Sequence, residues 1–126
     1  MNIEFDIGQV WRFQNRQGED NSTITILGVE KYDSDNTIIH IRIDAVKIHS
    51  SEAAGGYTNF IAHLPFSENA LARSVTNFLG PIAALPDYSD GYNQWKEAFD
   101  TDRASYWKID VAEVMDSIDN MMKEKK

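Results

Sequence analysis

His40, Arg42 and Asp44 stand at alternate positions of TIIHIRIDAVKIH, the spacing that lines one face of a β-strand. An imidazole, a guanidinium and a carboxylate on one face supply a proton acceptor, an anion clamp and a group to orient the imidazole, which is the minimum for acid–base chemistry. His63, in the next apolar run, adds a second imidazole if its strand pairs with that of His40, and two imidazoles are half of a zinc site. Glu19 sits with Arg16 and Asp20 in the loop QNRQGEDNS and could join them. Polar alternation is also what half-burial of an antiparallel sheet produces unaided, and a hairpin loop needs polar residues and a glycine such as Gly18 in any case. We therefore assign no catalytic residue, no metal ligand and no cofactor. Glu19, His40, Arg42 and His63 stand as an alternative pocket.

The elements that would position these groups follow from periodicity. Trp11 and Phe13 share one face of a first strand, and Ile24 and Ile26 share one face of a second, so the two read as a hairpin around the polar loop. Gly28, between Leu27 and Val29, marks a bulge or bend. Asp33-Ser34-Asp35-Asn36 is turn chemistry that closes a second hairpin. In the strand that follows, Ile39, Ile41 and Ile43 lie on one face until Val46 and Ile48 reverse the sense. Gly55-Gly56 precedes a last strand from Tyr57 to Leu64, with Tyr57, Asn59, Ile61 and His63 on one face.

From Pro65 the period becomes helical. Ser67 reads as an N-cap, and Leu71, Val75, Phe78 and Leu79 as one apolar stripe of a helix ending at Gly80-Pro81. A second helix starts near Asp90 with Tyr92, Trp95 and Phe99 facing inward. A third starts at Asp110, with Glu113 completing a capping-box pair and Val111, Val114, Met115, Ile118 and Met122 as its stripe. Lys123, Lys125 and Lys126 complement the dipole at its end. Strands first and helices after predict an α+β fold, with a curved antiparallel sheet of about four to five strands packed by about three C-terminal helices. The 126 residues make one domain, 1–126.

The chain carries 20 acidic and 12 basic residues, a formal charge of -8, and such a field repels phosphate backbones while attracting basic proteins. Nucleic acid is thereby disfavoured as a ligand. Between Asp87 and Asp119 nine carboxylates face three cations, Lys96, Arg103 and Lys108. No apolar run approaches the roughly 20 residues of a membrane helix, and MNIEFDIGQVW lacks the features of a signal peptide, so a cytoplasmic protein that does not enter the membrane is expected. The absence of cysteine excludes disulfides and thiolate metal sites. No phosphate-binding loop, dinucleotide fingerprint, metalloprotease motif or nucleophile elbow appears.

What remains is a surface. Tyr88, Tyr106 and Trp107 fall in connectors and are expected to be more exposed than the helical aromatics. Tyr88 and Trp107, with Asp87, Asp90, Asp100 and Asp102 around them, compose an aromatic centre with an acidic rim, the anatomy of a protein-binding patch. The runs GQVWRFQNRQGEDNSTITI, HLPFS and LPDYSDGYNQWKEAF with a closing amphipathic helix resemble a group of small bacterial proteins usually labelled uncharacterised. That resemblance covers almost the whole chain, implies a shared fold and transfers no site. In size, acidity and lack of motif the chain is also similar to immunity proteins that neutralise secreted bacterial toxins. The leading expectation is a non-enzymatic, immunity- or antitoxin-like binder of a basic protein partner such as a toxin. The alternatives are a small enzyme or ligand-binding domain on the concave sheet face, and a homo-oligomeric assembly protein joined through a sheet edge or through Met121 and Met122.

Overall fold

A computed structural model describes residues 3–31, 36–50 and 54–124. It has five strands, β1 (Gln9–Phe13), β2 (Thr23–Lys31), β3 (Thr37–His49), β4 (Tyr57–Ser67) and β5 (Val75–Pro81), and three α-helices, α1 (Glu68–Ser74), α2 (Ser89–Asp100) and α3 (Val111–Glu124). The strands form one antiparallel sheet in the order β4-β3-β2-β1-β5. This is an α+β fold. Of the turn 33–36, only Asn36 lies within the described residues, as do neither Lys125 nor Lys126; the hairpin register runs from Lys31 opposite Thr37.

One face of the sheet carries the apolar core. Ile24 and Ile26 of β2, Ile39, Ile41 and Ile43 of β3 and Phe66 of β4 are fully buried against Leu71 of α1 and Val111, Val114 and Met115 of α3. The reversal of pattern in β3 has a backbone cause. Ala45 takes a positive φ of 59°, a left-handed conformation that inserts half a pleat, so Val46 and Ile48 return to the core side.

Register shifts do the same elsewhere. In β2 the pairing skips between Ile26 and Gly28, so Leu27 is the additional residue and Glu30 comes round to the face of His40. In β4, Leu64 pairs with Ile41 and Ile61 with Ile43, which leaves Ala62 and His63 opposite Arg42. Leu64 and Ile61 then both pack on the core, while His63 stands between them on the other side. Ile61 therefore does not share the face of His63, as simple alternation predicts.

Ser67 Oγ accepts the Ala70 N–H at 3.1 Å and caps α1, but the helix stops at Ser74 and residues 75–81 are an edge strand beside β1. The apparent stripe of Leu71, Val75, Phe78 and Leu79 is split between two elements. Val75, Thr76 and Phe78 are strand formers, β1 has a free edge to pair, and Ser74 turns its hydroxyl back to Ala70 O at 2.9 Å while accepting Val111 N–H at 3.0 Å. That local competition ends the helix. The two readings separate experimentally: Leu71→Ala is expected to cost about 2–5 kcal/mol as a core truncation, whereas Leu79→Ala, at 47% exposure, should stay within about 0.5 kcal/mol. Chemical denaturation of both variants measures this, and equal losses would restore the single helix.

Candidate functional site

The second face of the sheet is polar at its centre, and α2 lies over it. His40, 1% exposed, is hydrogen-bonded at both ring nitrogens: Nε2 to Glu30 Oε1 at 3.0 Å and Nδ1 to His63 Nε2 at 2.9 Å. The carboxylate only accepts, so His40 Nε2 carries a hydrogen, neutral His40 is bare at Nδ1, and His63 Nε2–H is the donor between the rings. The last nitrogen of the chain, His63 Nδ1, is left as an acceptor. The Tyr92 hydroxyl donates to the same Glu30 oxygen at 3.2 Å, and Lys96 Nζ stands 3.5 Å from the other oxygen and 3.2 Å from Asp100. Tyr92 and Trp95 each meet the His40 ring edge-on at 5.0 Å, and the two imidazoles lie side by side, 19° from coplanar with centroids 5.1 Å apart, as a hydrogen bond between ring nitrogens requires.

The sequence lets α2 approach closely. A Cβ on Gly28 would lie 2.8 Å from the Tyr88 hydroxyl, and one on Gly91 would lie 3.1 Å from His63 Cβ. Larger residues at either position would push α2 and its lead-in away from the sheet.

Burial lowers the pKa of His40, opposed in part by the hydrogen bond and charge of Glu30. Burial, with the neighbouring His40, lowers His63 from the ordinary 6.5 to about 4. For Glu30, burial works upward, but the hydrogen bonds from His40 and Tyr92 and the His40 and Lys96 charges outweigh it, and the pKa falls below 4.5. Both imidazoles are thus neutral at pH 7, and the contact between them is a hydrogen bond. Among the described residues no group of three or more His, Asp or Glu could hold a metal ion.

The other members of the alternative pocket are committed to other contacts. Arg42 Nε binds Asp44 at 3.0 Å and its guanidinium lies 4.4 Å over the Phe60 ring. Glu19 belongs to a separate cluster. Its two oxygens accept from Arg16 Nε and Nη2, both at 2.7 Å, and Arg16 reaches on to Asp119 and Asp116 of α3. Asp119 also accepts His49 Nδ1 at 2.6 Å and His49 N–H at 2.8 Å, while Lys47 N–H donates to Glu19 at 2.7 Å. The loop between β1 and β2 is therefore a tie between three elements. It walls an open cleft of about 690 Å³, and its charges are largely committed to one another.

In the acidic third, Asp87, Asp90, Asp100 and Asp102 are exposed, but Tyr88, Tyr106 and Trp107 are half-buried like Tyr92, Trp95 and Phe99, which corrects the expectation that the connector aromatics are the more exposed. Tyr88 stacks on His63 at 6.1 Å. The Trp107 backbone bridges the edge of β4, with N–H to Pro65 O at 2.9 Å and its own C=O accepting Ser67 N–H at 2.8 Å. Connector position implies exposure only where the connector has no sheet face or edge to cover. Glu30, Tyr92 and Lys96 were the groups that sequence reasoning left out. Their signal was the β2–β3 register, which places Glu30 opposite Ile38 and diagonal to His40.

The fold and site define a class: an open five-stranded antiparallel sheet, apolar on one face and histidine-centred under a helix on the other. No protein-family model matches the chain, and no curated protein or solved structure matches it. No helix among the described residues is long and apolar enough to cross a membrane.

The depressed imidazole values set a pH dependence. Unfolding returns both rings to ordinary values near 6.5, so below that the unfolded chain binds more protons and stability drops as pH falls from 6.5 toward about 4. Denaturation midpoints across this window should fall in the parent and fall less in His63→Gln. Equal pH profiles for the two proteins would show that the ring does not contribute.

Proposed function

We propose that the protein is a non-enzymatic binder of a basic protein partner, of immunity or antitoxin type, and that α2 is its binding face. The observation that carries this reading is the outer side of that helix. Asp90, Asn93, Gln94, Glu97 and Asp100 are all exposed at helical spacing, a stripe of carboxylates and amides about 15 Å long at 1.5 Å per residue. Its one lysine, Lys96, is turned toward Glu30 and Asp100.

An acidic stripe alone steers; affinity needs places that exclude water. There is one at each end of α2. Leu85, Pro86, Tyr88 and Tyr92 line a notch of about 380 Å³ beside its N-terminus, and Pro65, Trp95, Tyr106 and Trp107 line another of about 360 Å³ toward its C-terminal end. Asp87 flanks the first. A partner that presents lysine or arginine between two apolar side chains matches this order of surfaces. Leu85, 42% exposed, is the anchor most open to it.

A photo-crosslinking residue in place of Asn93, with a control in place of Asn77 on β5, tests the reading in native-cell extract. A basic polypeptide should be captured from position 93 and not from 77. Its yield should drop as salt rises from about 0.1 to 1 M, where the Debye length shrinks from roughly 10 to 3 Å. With that partner in hand, Asp90→Asn, Glu97→Gln and Asp100→Asn together should slow association by about tenfold or more at low salt, and Leu85→Ala should mainly hasten dissociation. Capture of an acidic protein, or equal capture from both positions, would refute the assignment.

A further inference from the structure

The 2.9 Å between His40 Nδ1 and His63 Nε2 holds one hydrogen, and Glu30 decides that it belongs to His63. A first added proton has a place, His63 Nδ1, and leaves every hydrogen bond of the chain intact. A second has only His40 Nδ1, which faces the N–H of His63. Two N–H groups aimed at each other at that distance repel, and the contact cannot survive. The charged and titratable groups around the rings are Glu30 on β2, Arg42 on β3, Asp87 and Tyr88 ahead of α2, and Asp90, Tyr92 and Lys96 on α2, with Asp100 behind Lys96. Glu30 is the carboxylate hydrogen-bonded to the pair, and Asp87 and Asp90 line the pocket beside His63; their charge favours a proton on His63 but does not relieve the clash of the two facing N–H groups that a second proton creates.

This pair is also the floor under α2. The helix contains no buried residue. It rests on the sheet through Tyr92 and Trp95 against His40, through Tyr92 and Lys96 on Glu30, and through Gly91 against His63. The apolar core lies on the opposite face and has no member in α2. Parting the imidazoles therefore disrupts the surface on which Tyr92, Trp95 and Gly91 rest while leaving the core in place; Trp95 Nε1 still donates to Ser105 O at 2.7 Å, so α2 stays tethered to the segment that follows it.

We propose that the histidine pair is a two-proton switch that releases α2 from the sheet when both rings become charged, and that this release dismantles the partner-binding face. Only the second clause rests on the proposed function; the release itself does not. Each ring that gains a proton on release adds a tenfold change per pH unit, so the released-to-docked ratio should approach about a 100-fold rise per unit of acidification, against tenfold for one ring.

The chain has no cysteine, so Asn77→Cys on β5 and Asn93→Cys on α2 accept a donor and an acceptor dye specifically. Energy transfer is then followed from about pH 7.5 down to about 4.5, the range over which imidazoles titrate, with amide protection of β2 and β3 measured in parallel. Transfer should fall with a proton slope near two while the strands stay protected. In His63→Gln, whose amide still donates to His40 Nδ1 but takes no proton, the slope should drop to one or below and the transition move to lower pH. A slope of one in the parent, an unchanged slope in the variant, or simultaneous loss of transfer and strand protection would overturn the switch. Cross-linking from position 93 that persists where transfer is lost would instead show that release does not dismantle the binding face, overturning the second clause and leaving the switch standing.

Discussion

A buried imidazole needs a partner at each nitrogen, and in this protein that requirement organises an entire face of the sheet. His40 is the fourth residue of the longest strand and is 1% exposed. Leaving either nitrogen unpaired there would cost on the order of 1–3 kcal/mol. Glu30 and His63 meet the need from the strands on either side. Once Glu30 is in place, its remaining acceptor capacity draws in Tyr92 and Lys96, and with them the helix. Among the described residues no buried side-chain nitrogen or oxygen lacks a partner, so the network is closed at its centre and open only at its rim.

The two faces of the sheet are held by different physics. The side under α1 and α3 is a contiguous set of isoleucine, valine, leucine and phenylalanine, whose attraction is non-directional and insensitive to pH. The side under α2 is held by directed contacts among ionisable groups, each worth more in its low-dielectric setting but conditional on protonation state. A domain built this way can keep its core while altering one surface. That division is what permits a local conformational response in so short a chain.

Much of the frame was legible in the residues. Ser67 as an N-cap, the bulge near Gly28, the reversal at Val46 and the stripe of α3 were all readable, because each rests on local geometry. The failures arise where a long-range partner overrides a local pattern. Residues 75–81 carry apolar spacing compatible with a helix but are claimed by the free edge of β1. Trp107 reads as a loop aromatic but is recruited by the edge of β4. The meeting of His40 with His63 was foreseeable from strand pairing, whereas the displacement of Arg42 and Glu19 into other contacts depends on bulges and loop ties that no single-strand pattern records.

The tie from Arg16 to Asp119 joins residues 103 positions apart, linking the first hairpin loop to the last helix. Contacts of such separation are slow to form, because the chain between must first be ordered. On a ribosome the consequence is one of timing. The β1–β2 loop emerges early with Arg16 and Glu19 already able to pair, yet its outer partners arrive only when α3 does. The three isoleucines of β3 cannot be sealed beneath Val111, Val114 and Met115 until then either. The sealing of this core therefore waits for α3, and a chain halted before it would expose the core face of its sheet as an adhesive surface.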